Sequence, residues 1–536
     1  MGDLTPQAPN PAYRVAPAAP PAEPVRDPLG ASIRLIRWGG ALARHDALIP
    51  REITHLLPGW FRPIAGFVHL FAGKDARTGR PGQRLGRAFE TLGPVAIKLG
   101  QVMATRADIF GIEFARDLGR LKDKLPPFPT DQARLEVERS IGRTVEDLFI
   151  DFGDPIGAAS LAQAHPAYLA DGRKVAVKVL RPGVERRVAK GLDAMRLAAR
   201  LVHRFVVPAR RLEPQAFVET VARSMYLELD MRLEAAAASE LHDVMEKARA
   251  DGMMHMSSPR VVWDGVGKRV LTLEWAPGLP MTDPGAALQP GLDKDQLADN
   301  VVRAFLIQAL DHGVFHADLH EGNLFCQAPA DLTAVDFGIV GRIGPAERRY
   351  LAEILWGFLT RDYGRIARVH FEAGYVPPHH SVEAFAQALR AVGEPVIGRA
   401  ASQVSMGRLL GQLFEITALF DMHLRPELIL LQKTMVSVEG VARRLNPDHD
   451  LWNAAQPVVE RWIMRELGPR AQVRDALKEG LAAARALSRL IQDPPQTQTV
   501  VVERTKPSPW LGVGVGVSVI LSAAALLLSL WPRILG

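Results

Sequence analysis

"FHADLHEGNLF", residues 315 to 325, crowds two histidines, two acids and an asparagine into one short stretch. Such density suits a metal site, a phosphotransfer loop or a crowded polar turn. The zinc reading would use His316, Asp318 and His320 as ligands. It needs a further ligand and an open coordination position, and it leaves Asn323 without a task. Eighteen residues beyond Asp318 stands Asp336, in "AVDFGIVG" at 334–341, and zinc does not explain that acid either.

Phosphotransfer explains all of them. A protein-kinase pattern runs His-x-Asp, four residues, Asn, and then Asp-Phe-Gly. His316, Asp318, Asn323, Asp336, Phe337 and Gly338 meet it position by position. Asp318 is the expected base or water-positioning group, standing near the attacking hydroxyl or water. The Asn323 oxygen and the Asp336 carboxylate are expected to bind the Mg²⁺ that bridges the phosphates of ATP. His316 is expected to pack beneath the Asp-Phe-Gly turn, and His320 to be structural. Ala317 occupies the place of an arginine that often answers an activation-loop phosphate, so such phosphorylation is not the expected switch.

Working upstream, "GAASLAQAHPAYLADGRKVAVKV" (157–179) reads as a hairpin, with Asp171-Gly172 at its turn. Val175, Val177 and Val179 share one face of the second strand, and Ala176 and Lys178 the other. Kinases grip ATP with a small-residue turn over the phosphates and a strand lysine on the α and β groups. Gly157, Ala158, Ala159 and Ser160 are the candidate turn and Lys178 the candidate lysine. A half-buried strand with a solvated lysine is the plain alternative.

At 536 residues the chain is too long for one ordinary core. Its net charge of +6, with a pI near 9.4, is too mild to indicate nucleic acid. The single cysteine, Cys326, excludes an intramolecular disulfide and any cysteine-based zinc site. Residues 1–30 read as a disordered Pro/Ala-rich tail without the apolar core of a secretory peptide. Residues 31–145 read as a mostly helical extension, 146–275 as a sheet-containing lobe with inserted helices, and 276–490 as a helical lobe. A linker at 491–509 leads to "WLGVGVGVSVILSAAALLLSLW" (510–531), long and apolar enough to cross a bilayer as a helix. Tryptophans flank it, and Arg504 and Lys506 ahead of it place the large domain on the cytoplasmic side. Gly512 and Gly516 have the spacing of a helix-pairing face, hence a homodimer through the span. Ile33, Leu35, Ile36 and Trp38 alternate with Arg34, Arg37 and Arg44, as in a helix lying on a membrane or one packed on the domain. Nine basic residues face two acids between Arg181 and Arg211, a solvated face or one attracted to anionic lipid.

Taken with these features, the chain resembles the UbiB family of atypical kinase-like proteins, linked to ubiquinone biosynthesis. "LGPVAIKLGQVMATRADI" is similar to that family's Lys-x-Gly-Gln signature at Lys98, Gly100 and Gln101. "GAAS" is similar to its alanine-rich loop, and "ELDMRLEA" to its Glu-x-Asp signature, with Glu228, Asp230 and Glu234. The resemblance implies an α+β, bilobal protein-kinase-like fold with an N-terminal helical extension and a C-terminal transmembrane helix in the bacterial inner membrane. It implies that Glu228 pairs with Lys178 to orient it, that Glu234 pairs with Lys98, and that the Lys-x-Gly-Gln segment regulates access across the active site.

The same resemblance implies slow ATP hydrolysis coupled to isoprenoid quinone precursors, beside other quinone-biosynthesis enzymes, rather than protein phosphorylation. "HADLHEGN" also resembles the loop of small-molecule kinases, so a small-molecule or lipid kinase is the first alternative. A nucleotide-gated scaffold without catalysis is the second.

Overall fold

Alternation along "KVAVKVL" builds the centre of the fold. Val175, Val177 and Val179 are fully buried, packed with Phe149, Phe152, Ala167 and Val270 in one apolar layer, and the opposite strand face carries Lys178. The structure is a computed structural model and describes residues 23–49, 51–52, 62–73, 78–104, 111–119, 121, 125–205, 210, 213–394, 416, 419–422 and 426–468.

Its strands are β1 (Phe149–Phe152), β2 (Gly157–Ala158), β3 (Ala162–Leu169), β4 (Lys174–Leu180), β5 (Met256–Ser257), β6 (Val270–Glu274), β7 (Leu279–Pro280), β8 (Val314–His316), β9 (Leu324–Gln327), β10 (Asp331–Ala334) and β11 (Val340–Arg342). The first sheet has the antiparallel order β1-β3-β4-β6, with β2 paired to β3. Gly172, at φ 84°, turns β3 into β4, as the Asp-Gly pair predicts. A second sheet has the order β5-β10-β9-β7, and β11 pairs with β8. All these pairings are antiparallel except β10 with β5.

The helices are α1 (Pro28–Arg44), α2 (Arg62–His69), α3 (Pro81–Leu92), α4 (Pro94–Ala104), α5 (Ile112–Leu118), α6 (Thr130–Ile141), α7 (Val145–Leu148), α8 (Val184–Phe205), α9 (Pro214–Glu228), α10 (Met231–Ala250), α11 (Lys294–Ile307), α12 (Pro345–Thr360), α13 (Tyr363–Glu372), α14 (Val382–Gly393), α15 (Pro426–Leu445) and α16 (Leu451–Glu466). The architecture is α+β and kinase-like, with helices α8 to α10 inserted between β4 and β6. Helix α11 is buried through Val301, Val302, Phe305 and Leu306 and gathers Phe315, Leu324, Phe337, Val438 and Val459 into the largest apolar cluster.

Two expectations are corrected here. The tail does not run to residue 30: Glu23 sits 3.0 Å from the buried Arg196, and α1 starts at Pro28 behind its Asp27 cap. Arg34 donates to the Lys190 carbonyl at 2.8 Å, so α1 packs on α8 and leaves Leu29, Ile33 and Ile36 exposed. The basic stretch is not a uniformly solvated face either. Arg196 is 4% exposed and doubly bonded to Glu219 at 2.8 Å, and Arg181 is buried on backbone carbonyls. Among the described residues no helix is long and apolar enough to cross a membrane. The span at 510–531, with its glycines, and the 491–509 linker lie outside the described residues.

Candidate active site

A break in the chain decides which charges meet. Helix α9 ends at Glu228, and Asp230 leaves the helical region at φ −119°, ψ 94°. Its carboxylate accepts from the Arg232 backbone N–H at 3.2 Å and caps α10, an ordinary N-cap role for an aspartate. "ELDMRLEA" is therefore two helix ends rather than one charged face, and its glutamates point to different partners. Glu234, in the first turn of α10, lies 2.7 Å from the Lys178 Nζ of β4. Glu228 instead accepts from Lys98 of α4. The pairings implied by the resemblance are thus exchanged: Glu234 orients Lys178, and Glu228 anchors the extension.

Lys178 also reaches Asp336, at 3.1 Å. Burial pulls the Lys178 pKa down, but the Asp336 and Glu234 carboxylates outweigh it and hold the ammonium above the ordinary lysine value. The field of Lys178 keeps Asp336 below the usual carboxylate range. Burial pushes Glu234 up, against the pull of Lys178. Asp336 has φ 63°, in the left-handed region that a non-glycine residue adopts at a cost.

The loop of the opening stretch is held from beneath. His316 is fully buried; its Nε2 is 3.0 Å from the Val335 carbonyl, and its Nδ1 accepts from the Asp318 N–H at 3.2 Å. Both ring nitrogens are engaged by backbone, which removes His316 from the zinc reading. Its ring centroid lies 5.3 Å from that of Phe337, beneath the Asp-Phe-Gly turn. Asn323 is 7% exposed, and its Nδ2 donates to the Asp318 carbonyl at 3.1 Å, leaving the amide oxygen as the end for a cation. His320 Nδ1 accepts from Gly322, so its Nε2 carries the proton 3.5 Å from Asp318.

Asp318 has a second partner that the motif does not contain. Lys433 of α15 places Nζ 3.0 Å from its Oδ1. Burial pushes Asp318 up, yet His320 and Lys433 hold it well below the usual carboxylate range. Lys433 and Ser437 share one face of α15, and the polar stripe in "LLQKTMVSVEGVARR" was the available signal.

The turn at Gly157, Ala158, Ala159 and Ser160 is closed by the Ala159 N–H donating to the Ala162 carbonyl at 2.8 Å. Arg181 donates to the Ala159 carbonyl at 2.9 Å and to the Pro126 carbonyl at 2.8 Å, tying the turn to the "LPPFP" segment. Gly100 has a steric reason. A Cβ there would meet Leu121 Cδ1 at 2.3 Å and Phe89 at 2.8 Å, so any larger residue requires those two side chains to move. Gln101 follows it, half-buried.

Residues 120–370 match the ABC1 atypical kinase-like domain, and residues 389–450 match the UbiB helical domain. The protein named "Probable protein kinase UbiB" from Marinobacter nauticus is 39% identical over 430 residues, 79% of this chain and 76% of its own. The chain belongs to the UbiB family. Its counterpart from Aeromonas hydrophila is 38% identical over 81% of this chain and 80% of its own. A solved Mycobacterium tuberculosis structure, an erythromycin complex, aligns with a TM-score of 0.46 at 23% identity, covering 68% of this chain and 92% of its own. In family terms, Lys178, Glu234, Asp318, Asn323 and Asp336 lie in the kinase-like domain and Lys433 in the helical domain. Lys98 precedes both.

Proposed function

We propose that this chain binds Mg-ATP between Lys178 and the Asp318 loop and hydrolyses it, in support of ubiquinone biosynthesis. The observation that carries the reading is Lys178, held 2.7 Å from Glu234 and 3.1 Å from Asp336. Lys178 would hold the α and β phosphates, and the Gly157–Ser160 turn would cover them. Asp336 and the Asn323 oxygen offer the hard oxygen ligands that suit Mg²⁺, which would neutralise phosphate charge there. Asp318, kept ionised beside His320 and Lys433, would orient the attacking water. The name of the relatives, "Probable protein kinase UbiB", supports phosphoryl chemistry.

Water or a small hydroxyl fits this site better than a peptide. From Gly338 the chain passes through β11 and enters α12 at Pro345, leaving little length for a peptide-binding platform. The natural setting is then the inner face of a bacterial inner membrane, anchored through residues 510–531, beside isoprenoid quinone precursors and the enzymes that process them. Anionic lipid there would meet the exposed basic residues of α8.

The test is phosphate release from Mg-ATP by the full chain in anionic liposomes, compared with Asp336→Asn. Turnover abolished by the variant supports hydrolysis. A phosphorylated prenylphenol or lipid in place of free phosphate supports the lipid-kinase alternative. Nucleotide binding without turnover in the wild type supports the scaffold.

A further inference from the structure

Helix α15 holds the catalytic loop at several points. Thr434, fully buried, sets its hydroxyl 2.8 Å from the Leu430 carbonyl of its own helix and 3.2 Å from the Ala317 carbonyl, and Ser437 donates to the Leu319 carbonyl at 2.7 Å. Arg444 pairs with Glu321 further along. These contacts tie the loop to the helix without Lys433. Lys433 adds little to that grip, because its side chain is 40% exposed and exposed ion pairs contribute little to stability. Its value lies in where the charge stands, 3.0 Å from the carboxylate that would meet the attacking water.

The local sequence places no permanent cation beside Asp318, its two histidines each accepting a hydrogen bond at Nδ1. "HADLHEGN", from His316 to Asn323, contains no lysine or arginine. Lys178 is engaged by two carboxylates and Lys98 by Glu228. Phosphoryl transfer spreads negative charge over the oxygens of the transferring group, and a preorganised cation there stabilises the transition state. We propose that Lys433 is a catalytic residue, which leaves Asp318 on nucleotide binding and contacts the terminal phosphoryl group of a nucleoside triphosphate. The inference rests on the Mg-ATP reading above. In the step, water oxygen bonds to the γ-phosphorus as the bridging P–O bond breaks, and ADP leaves with that electron pair. The water proton goes to Asp318, and Lys433 remains an ammonium throughout. The helical domain would thereby complete the active site of the kinase-like domain.

A γ-phosphate contact predicts discrimination between triphosphate and diphosphate. The full chain, in vesicles of phosphatidylethanolamine and phosphatidylglycerol with Mg²⁺, is titrated with ADP and with the non-hydrolysable triphosphate AMP-PNP. Lys433→Met should weaken AMP-PNP about 5- to 20-fold while ADP affinity stays within about twofold. Phosphate release should fall about 10- to 100-fold in kcat, with Lys433→Arg recovering part of it. Unchanged AMP-PNP affinity, or equal loss of both nucleotides, overturns the proposal. Should the Met variant unfold, Lys433→Gln, which keeps the stem and a polar end without the charge, carries the same test. A wild type that binds neither nucleotide overturns the Mg-ATP reading, and the role of Lys433 with it. A wild type that binds both without turnover overturns hydrolysis and the catalytic role of Lys433, and the affinity ratio then judges its γ-phosphate contact alone.

Discussion

Lys98 donates to Glu228, at the end of α9, while Lys178 of β4 lies 2.7 Å from Glu234, one turn into α10. Two lysines and two glutamates six residues apart are sorted by the single helix break at Asp230. Lys98 and Glu228 are 11% and 21% exposed, sheltered enough for their attraction to escape most solvent screening. A double-mutant cycle of Lys98→Met and Glu228→Gln should give a coupling of about 1–3 kcal/mol in denaturant unfolding. The same cycle on Lys98 and Glu234 should stay near zero, and reversed magnitudes would restore the pairing implied by the resemblance.

Removing Lys178 should cost more than its own contacts. Glu234 has a side chain only 9% exposed and would remain buried without its cation. Breaking a buried pair from one side costs about 3–5 kcal/mol, whereas removing both charges costs less. Lys178→Met should therefore lower the unfolding midpoint further than Lys178→Met combined with Glu234→Gln. Nucleotide binding should be lost in both, which separates the stability role from the proposed one.

Gly100→Ala tests the seat of the extension. The new methyl would overlap Leu121 and Phe89. Overpacking of this kind costs about 1–3 kcal/mol. Hydrogen exchange should accelerate in α3, α4 and α5, while the β3–β4 hairpin keeps its protection. Uniform acceleration across the chain would refute a local seat.

Acid should destabilise the helical part through His370. Burial, partly offset by a hydrogen bond with the Ile366 carbonyl, pulls its pKa down to about 4 from an ordinary 6.5. The unfolded chain then binds more protons than the native one between those values. This contribution to stability is full above pH 6.5 and drains away as the pH falls toward 4. Between pH 7 and pH 5 the loss should be about 2 kcal/mol at most. His370→Phe, which keeps a ring beside Phe385, should remove that part of the slope in unfolding measured at the two pH values. An unchanged slope would place the acid sensitivity elsewhere.

A single loop or strand carries its own geometry in its residue order. Asp318, Asn323 and Asp336 fall within nineteen residues, so their spacing is already a geometry. The alternation that buries Val175, Val177 and Val179 turns Lys178 to the other face without help from the rest of the chain. Which distant side chains meet is set by packing. The partner of Lys178 is 56 residues away, that of Lys98 is 130 away, and the lysine beside Asp318 is 115 away. Such contacts depend on the angles at which helices leave a break or cross a loop, and no periodicity records those angles. Gly100 shows the same division: the signature marks the position, and the packing of Leu121 and Phe89 against it supplies the reason.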